Sequence, residues 1–288
     1  MLKQKQLIIP TNREKDIVAD ITYSDIGENK PLVIFCHGYK GFKDWGAWNL
    51  VAKTFAEAGF IFLKFNFSHN GGTIENPIDF PDLEAFGKNT YTKEVEDLHT
   101  VINWSQSNNG FPILKNNSTV IGHSRGAGIA TIVAKEHSAV ARLITWAGVS
   151  DFESRFLKND DLQQWKEKGV FTIKNSRTKQ KMPHFYTFYE DFVQNKHRLT
   201  IKNAVKQLRK PQLILHGDSD EAVNIKEAYN YKKWNPNAVL IEIKGANHTF
   251  GSKHPWTENQ LPSHLKQVVK YSIDFVKGQP KVFVTLTT

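Results

Sequence analysis

Only one cysteine, Cys36, occurs among 288 residues, so no internal disulfide can form. Its place inside LVIFCH makes a buried strand thiol the expected state, and so low a thiol content agrees with a reducing compartment. Long apolar runs are missing as well. LVIFC and the interrupted FIFLKFNF fall far short of the roughly 18 to 20 residues that span a membrane as a helix. The opening MLKQKQLIIPTNREKD holds a three-residue apolar run, against at least about seven in a secretory signal. A cytoplasmic chain with no membrane partner is the expectation.

Other chemistries lack their signatures. There is no Gly-Lys-Ser/Thr of a phosphate-binding loop, and the eleven histidines show neither an HExxH pattern nor paired ligand spacing. No metal and no organic cofactor is implied. The net charge of +9 could suit nucleic acid, but no arginine-rich stripe, zinc-finger spacing or RNA-binding aromatic motif accompanies it. Residues 151–208 alone hold twelve Lys/Arg against seven Asp/Glu, many of them in KNSRTKQK. That reads as a solvated hairpin tip, so no nucleic-acid partner is expected. No internal repeat appears.

What is present is an ordinary globular composition, 40% apolar and 23% charged, long enough for a sizeable core. Short runs rich in Val, Ile and Phe alternate with helical patterns. LVIFCH (32–37), FIFLKFNF (60–67), STVIGH (118–123), LITWAG (143–148), PQLILHG (211–217) and AVLIEIKG (238–245) read as strands. Helices are expected over 45–59, near 90–108, from about Ser124, and around 258–277. Strands that are apolar throughout are buried on both faces, which implies an α/β fold with a doubly wound, mostly parallel sheet. In such sheets ligands bind beyond the carboxyl ends of the strands.

One segment breaks the rhythm. Between LITWAG and PQLILHG the gap far exceeds the 2 to 6 residues of an ordinary connection in such folds. It reads as an inserted cap over 151–208, containing a helix, a hairpin around the basic turn and an amphipathic helix, with 1–150 and 209–288 forming the core. Its aromatics, among them Phe152, Phe156, Trp165, Phe185, Phe188 and Phe192, are expected chiefly to pack within the cap.

VIGHSRGAGIA (120–130) places Ser124 between Gly122 and Gly126 at a strand-to-helix junction. Serine is a preferred N-cap, which is the plain structural reading. The glycine spacing also fits a sharp elbow that exposes a nucleophile, with the Arg125 backbone N–H at the positive end of the helix. A nucleophilic serine needs a base, and a base needs an orienting acid. PQLILHGDSDEAV offers Asp218, Asp220 and Glu221 after one strand, and AVLIEIKGANHTF offers His248 after the next, with His254 and His264 farther on. The three acids are equivalent on spacing alone. A second oxyanion donor is expected from the Tyr39 backbone N–H, after the His-Gly turn of LVIFCHGYKGFKDW, where His37 braces the loop.

Together HGYKGFKDW, GHSRGAG, HGDSDEAV and GANHTF resemble the serine hydrolases of the α/β-hydrolase superfamily, in the branch that includes prolyl-oligopeptidase-like, dienelactone-hydrolase-like and cinnamoyl or feruloyl esterase members. The likeness covers roughly residues 20–277. It implies the α/β-hydrolase fold and, through the pattern HG-x-x-D-x-x-V closed by Val223, selects Asp220 as the acid. It likewise implies Ser124 as nucleophile, His248 as base, and Tyr39 and Arg125 as oxyanion donors. Dienelactone hydrolases proper use a cysteine nucleophile, so the serine here disfavours that activity. The expected function is hydrolysis of a small-molecule carboxylic ester through an acyl-enzyme. The alternatives are a peptidase acting on small amides and a non-catalytic binding protein of the same fold.

Overall fold

A computed structural model describes residues 1–24 and 27–278; the last stretch assigned to the core, 279–288, lies outside them. Eight strands form one sheet: β1 (Leu2–Ile9), β2 (Ile17–Ser24), β3 (Leu32–Cys36), β4 (Ile61–Phe65), β5 (Ser118–His123), β6 (Val140–Trp146), β9 (Gln212–Gly217) and β10 (Val239–Ile243). Their spatial order is β1-β2-β4-β3-β5-β6-β9-β10. From β4 to β10 every pairing is parallel, whereas β2 runs antiparallel to both β1 and β4. The sheet is therefore mostly parallel, with an antiparallel hairpin on one edge.

The apolar runs form central strands because both of their faces are covered. In β3, Leu32, Ile34 and Cys36 join one buried cluster while Val33 and Phe35 join another, as the two-residue period of a strand requires. The first cluster is closed by α3 (Tyr91–Gln106), α4 (Arg125–Glu136) and α9 (Lys226–Trp234). The second is closed by α1 (Trp48–Glu57) and α10 (Ser263–Val276). Cys36 is a buried free thiol whose pKa is pushed up by burial. Among the described residues no helix is long and apolar enough to cross a membrane.

The expected helix over 258–277 starts only at Ser263, because Pro262, with extended backbone at ψ 151°, stands at its N-cap and disfavours helix in the residue before it. A short helix, α2 (Leu83–Gly87), interrupts the loop after β4, capped by Asp82, whose Oδ1 accepts the Ala85 N–H at 2.9 Å.

The long segment between β6 and β9 folds as α5 (Asn159–Lys168), the hairpin β7 (Val170–Lys174) and β8 (Lys181–Phe185), then α6 (Thr187–Gln194), α7 (Lys196–Leu199) and α8 (Ile201–Gln207). Lys174, Arg177, Lys179 and Lys181 of the hairpin tip are exposed, as its composition suggests. Phe152, Phe156, Trp165, Phe188 and Phe192 are buried, and they share the first core cluster with residues of α3 and α4. Phe185 contacts α2 at Gly87, where an added Cβ would come within 3.0 Å of the ring.

Candidate active site

Ser124 occupies the junction of β5 and α4 with φ 57° and ψ −120°, a conformation that costs an L-residue roughly 1 to 3 kcal/mol. The neighbouring glycines explain how the turn closes. A Cβ on Gly122 would lie 2.3 Å from the Gly126 carbonyl oxygen, and one on Gly126 would lie 2.5 Å from that of His37. The Ser124 N–H donates to the Trp146 carbonyl at 2.9 Å, which ties the elbow to β6. Its side chain makes no capping hydrogen bond. The capping expectation therefore holds for position only: Ser124 stands at the N-cap without a side-chain bond to the helix.

Two loops at the carboxyl ends of β9 and β10 bring Asp220 and His248 together. His248 Nδ1 is 2.8 Å from Asp220 Oδ2, while Asp220 Oδ1 accepts the N–H groups of Ala222 and Val223 at 2.9 and 2.8 Å. Burial opposes ionisation of Asp220, but hydrogen bonds from His216 and His248 outweigh it and hold the carboxyl well below its ordinary pKa. A carboxylate on Nδ1 places the imidazole proton there and leaves Nε2 free as an acceptor. Ser124 and His248 line the same cavity, although no hydrogen bond links Ser124 to the imidazole in this structure. Such contacts commonly close only when substrate is bound.

The competing residues have other partners. Asp218 Oδ1 accepts the Gly245 N–H at 2.6 Å on the exposed side of the turn, and Glu221 is exposed. His254 Nδ1 accepts the Gly46 N–H at 2.9 Å, and His264 lies in the first turn of α10. His37 braces its loop: Nδ1 is 2.9 Å from the Gly38 carbonyl and Nε2 accepts the Phe67 N–H at 3.3 Å. Burial brings its pKa down to about 4, so it is neutral at pH 7.

The turn that His37 braces lies against the elbow, since a Cβ on Gly38 would meet Ser124 Cβ at 2.8 Å. Among the described residues, neither the Tyr39 nor the Arg125 backbone N–H has a protein acceptor. Two free N–H groups beside an elbow serine can receive a developing negative charge.

The cavity above Ser124 measures about 410 Å³ and is walled largely by cap aromatics, including Phe152, Phe156, Trp165, Phe171 and Phe188, with Tyr39 and Tyr91 from the core. These cap side chains thus both pack and line the site. The Arg125 guanidinium lies 4.4 Å from the centroid of the Tyr39 ring and 5.2 Å from that of Tyr91, and Glu94 accepts from it at 3.4 Å. Among the described residues no group of His, Cys, Asp and Glu is arranged to hold a metal ion.

Three contributors were not among the residues singled out in the sequence. His216, in a fully buried strand position, brings Nε2 to 3.3 Å from Asp220 Oδ2 and 2.8 Å from the Val223 carbonyl. His123 Nε2 reaches the His248 carbonyl at 2.9 Å, and burial lowers its pKa to about 3. His184, on the cap hairpin, meets the Tyr39 hydroxyl at 2.6 Å. Only the HG of the acid motif hinted at His216; the other two depend on contacts between distant segments.

This architecture is the α/β-hydrolase fold. The complex of Est1E from Butyrivibrio proteoclasticus with ferulic acid superposes with a TM-score of 0.72 at 20% identity, over 95% of this chain and 98% of Est1E. Dienelactone hydrolase from Anabaena variabilis ATCC 29413 gives 0.64 at 16% identity, over 96% and 98% of the two chains. The uncharacterized peptidase YtmA of Bacillus subtilis (strain 168) is 25% identical over 118 residues. That match spans 41% of this chain and 40% of the relative. No protein-family profile matches the chain. At these identities the likeness is one of fold.

Proposed function

We propose that the protein is a serine hydrolase of carboxylic esters, cytoplasmic and acting on a small molecule. His248 Nε2 takes the proton of Ser124 Oγ as that oxygen attacks the ester carbonyl, and Asp220 holds the imidazole in the required tautomer. The Tyr39 and Arg125 N–H groups receive the oxyanion. The bond from the carbonyl carbon to the alcohol oxygen breaks, and the alcohol leaves with the proton from His248. Water, deprotonated by the same imidazole, then attacks the acyl-serine, releasing the acid and restoring the Ser124 hydroxyl.

The observation that carries this reading is the His248–Asp220 pair at 2.8 Å beside a serine in a strained elbow on one cavity wall. The aromatic walls favour an aromatic or bulky acyl or alkyl group, and a ferulic acid complex of a structural neighbour agrees with that preference. Ser124→Ala should remove turnover of a short p-nitrophenyl ester while leaving the fold intact by circular dichroism. Retained turnover overturns the assignment.

A peptidase acting on small amides is the second reading, favoured by the likeness to the uncharacterized peptidase of Bacillus subtilis. Turnover of aryl esters compared with aminoacyl amides decides between them, faster amide cleavage reversing the order.

A further inference from the structure

Ser124 and His248 also border a second cavity, of about 400 Å³. Its walls come from the turn after β3, the loop after β10 and the tip of the cap hairpin. They carry Lys40, Arg177 and Asn175 and, among the described residues, no carboxylate. Arg177 is paired with Asp79, which stands outside the wall. Lys40 has no acidic partner among the described residues; its Nζ lies 5.1 Å from the centroid of the Tyr39 ring. Asn175 uses its carbonyl oxygen to accept the N–H groups of Arg177 and Thr178 at 3.0 and 3.3 Å, so its amide NH₂ remains as an uncommitted donor.

The aromatic cavity is different. Its two cations, Arg125 and Arg155, are paired with Glu94 and Glu227. Charge is thus balanced on one side of Ser124 and left positive on the other. Burial and the charge of Arg125 lower the pKa of Lys40, as expected for a cation without a counter-anion.

We propose that the second cavity binds a negatively charged group, a carboxylate or a phosphate, on the half of the ester that the aromatic cavity does not hold. The inference rests on the esterase reading and deepens it. The substrate is a mixed ester, aromatic or bulky on one side and anionic on the other. Lys40 supplies the charge, Arg177 adds to it, and the Asn175 amide donates a hydrogen bond. A charge-assisted contact of this kind is about twice as strong as a neutral one.

The test compares kcat/KM within two ester series. The first has 3-phenylpropanoyl esters of glycolate, 2-hydroxyethyl phosphate, neutral 2-methoxyethanol and cationic choline. The second reverses the ester, with phenethyl hydrogen succinate against neutral phenethyl pentanoate. In one series the anionic ester should be preferred over the neutral one by about tenfold or more, and the glycolate and phosphate arms tell the two anions apart. Lys40→Asn should bring that ratio toward one, and Lys40→Glu should invert it. Asparagine tolerates the left-handed φ of 52° at this position.

A ratio near one in both series, or a ratio that the Lys40 variants leave unmoved, overturns the anion site while the esterase reading stands. Failure to hydrolyse any of these esters, together with failure of a fluorophosphonate to label Ser124, overturns the esterase reading and this inference with it.

Discussion

At Asp220 both carboxylate oxygens are committed to different tasks: Oδ1 fixes its own loop through two backbone N–H groups, and Oδ2 faces His248. Asp220→Asn can keep the first set with its remaining oxygen, but it then turns an NH₂ toward His248 Nδ1. The imidazole must accept there, which moves its proton to Nε2, the atom that has to receive the serine proton. We expect kcat for p-nitrophenyl ester hydrolysis to fall on the order of 10⁴-fold with little change in melting temperature. A loss of only a few fold would show that Asp220 merely shapes the loop. His216, whose Nε2 also approaches Oδ2, becomes in this account a positioning residue for the acid.

The element scale separates what pattern can reveal from what it hides. The elbow is legible because its requirement is local: a glycine two residues before and two after Ser124, with an apolar strand in front. The edge hairpin is not. β1, LKQKQLII, is exposed over most of its length and pairs with β2 alone, so its main contribution is backbone hydrogen bonds, which leave no apolar signature. β2 carries a buried Asp20, and β4 a buried Lys64, which meet in an ion cluster with Lys43 and Asp44. Charges that are buried because they are paired look in sequence like solvated breaks in a strand. The second cavity was hidden for a related reason, since Lys40 and Arg177 lie far apart in the chain and come to the walls of one cavity only through the fold.

Glu136, at the end of α4, joins three elements by accepting from His99 of α3 and Arg198 of α7, at 2.9 and 2.8 Å. Burial opposes its ionisation, but the His99 and Arg198 hydrogen bonds prevail and lower its pKa to about 2 from an ordinary 4.5. A carboxyl with a depressed folded-state pKa contributes stability that is present above about pH 4.5 and fades as pH falls toward 2. Glu136→Gln should cost roughly 1 kcal/mol at pH 7. Urea denaturation between pH 2 and 5 should then show a shallower loss of stability in the variant than in the wild type. Parallel curves would mean that Glu136 adds nothing to the acid dependence.

For the whole molecule the question is whether cap and core behave as one body. Phe152 stacks on Tyr91 of α3 with ring centroids 3.9 Å apart, and Phe188 tilts against the same ring at 4.7 Å. Asp191 of α6 accepts from the Thr92 hydroxyl at 2.9 Å, at the start of α3. The cap therefore has no apolar cluster separate from the core: its buried aromatics complete the layer that covers one face of the sheet. An insertion that shares its buried surface with the core cannot unfold without exposing that face. Calorimetry should give a single transition with the calorimetric and van't Hoff enthalpies equal, and Tyr91→Ala, which removes the ring at the centre of the contact, should lower stability by about 3 kcal/mol or more without splitting it. Two transitions in the wild type, with the cap melting first, would instead make the cap a separately folding lid. The walls of both cavities would then be set by an opening equilibrium, and substrate preference would change with temperature below the main transition.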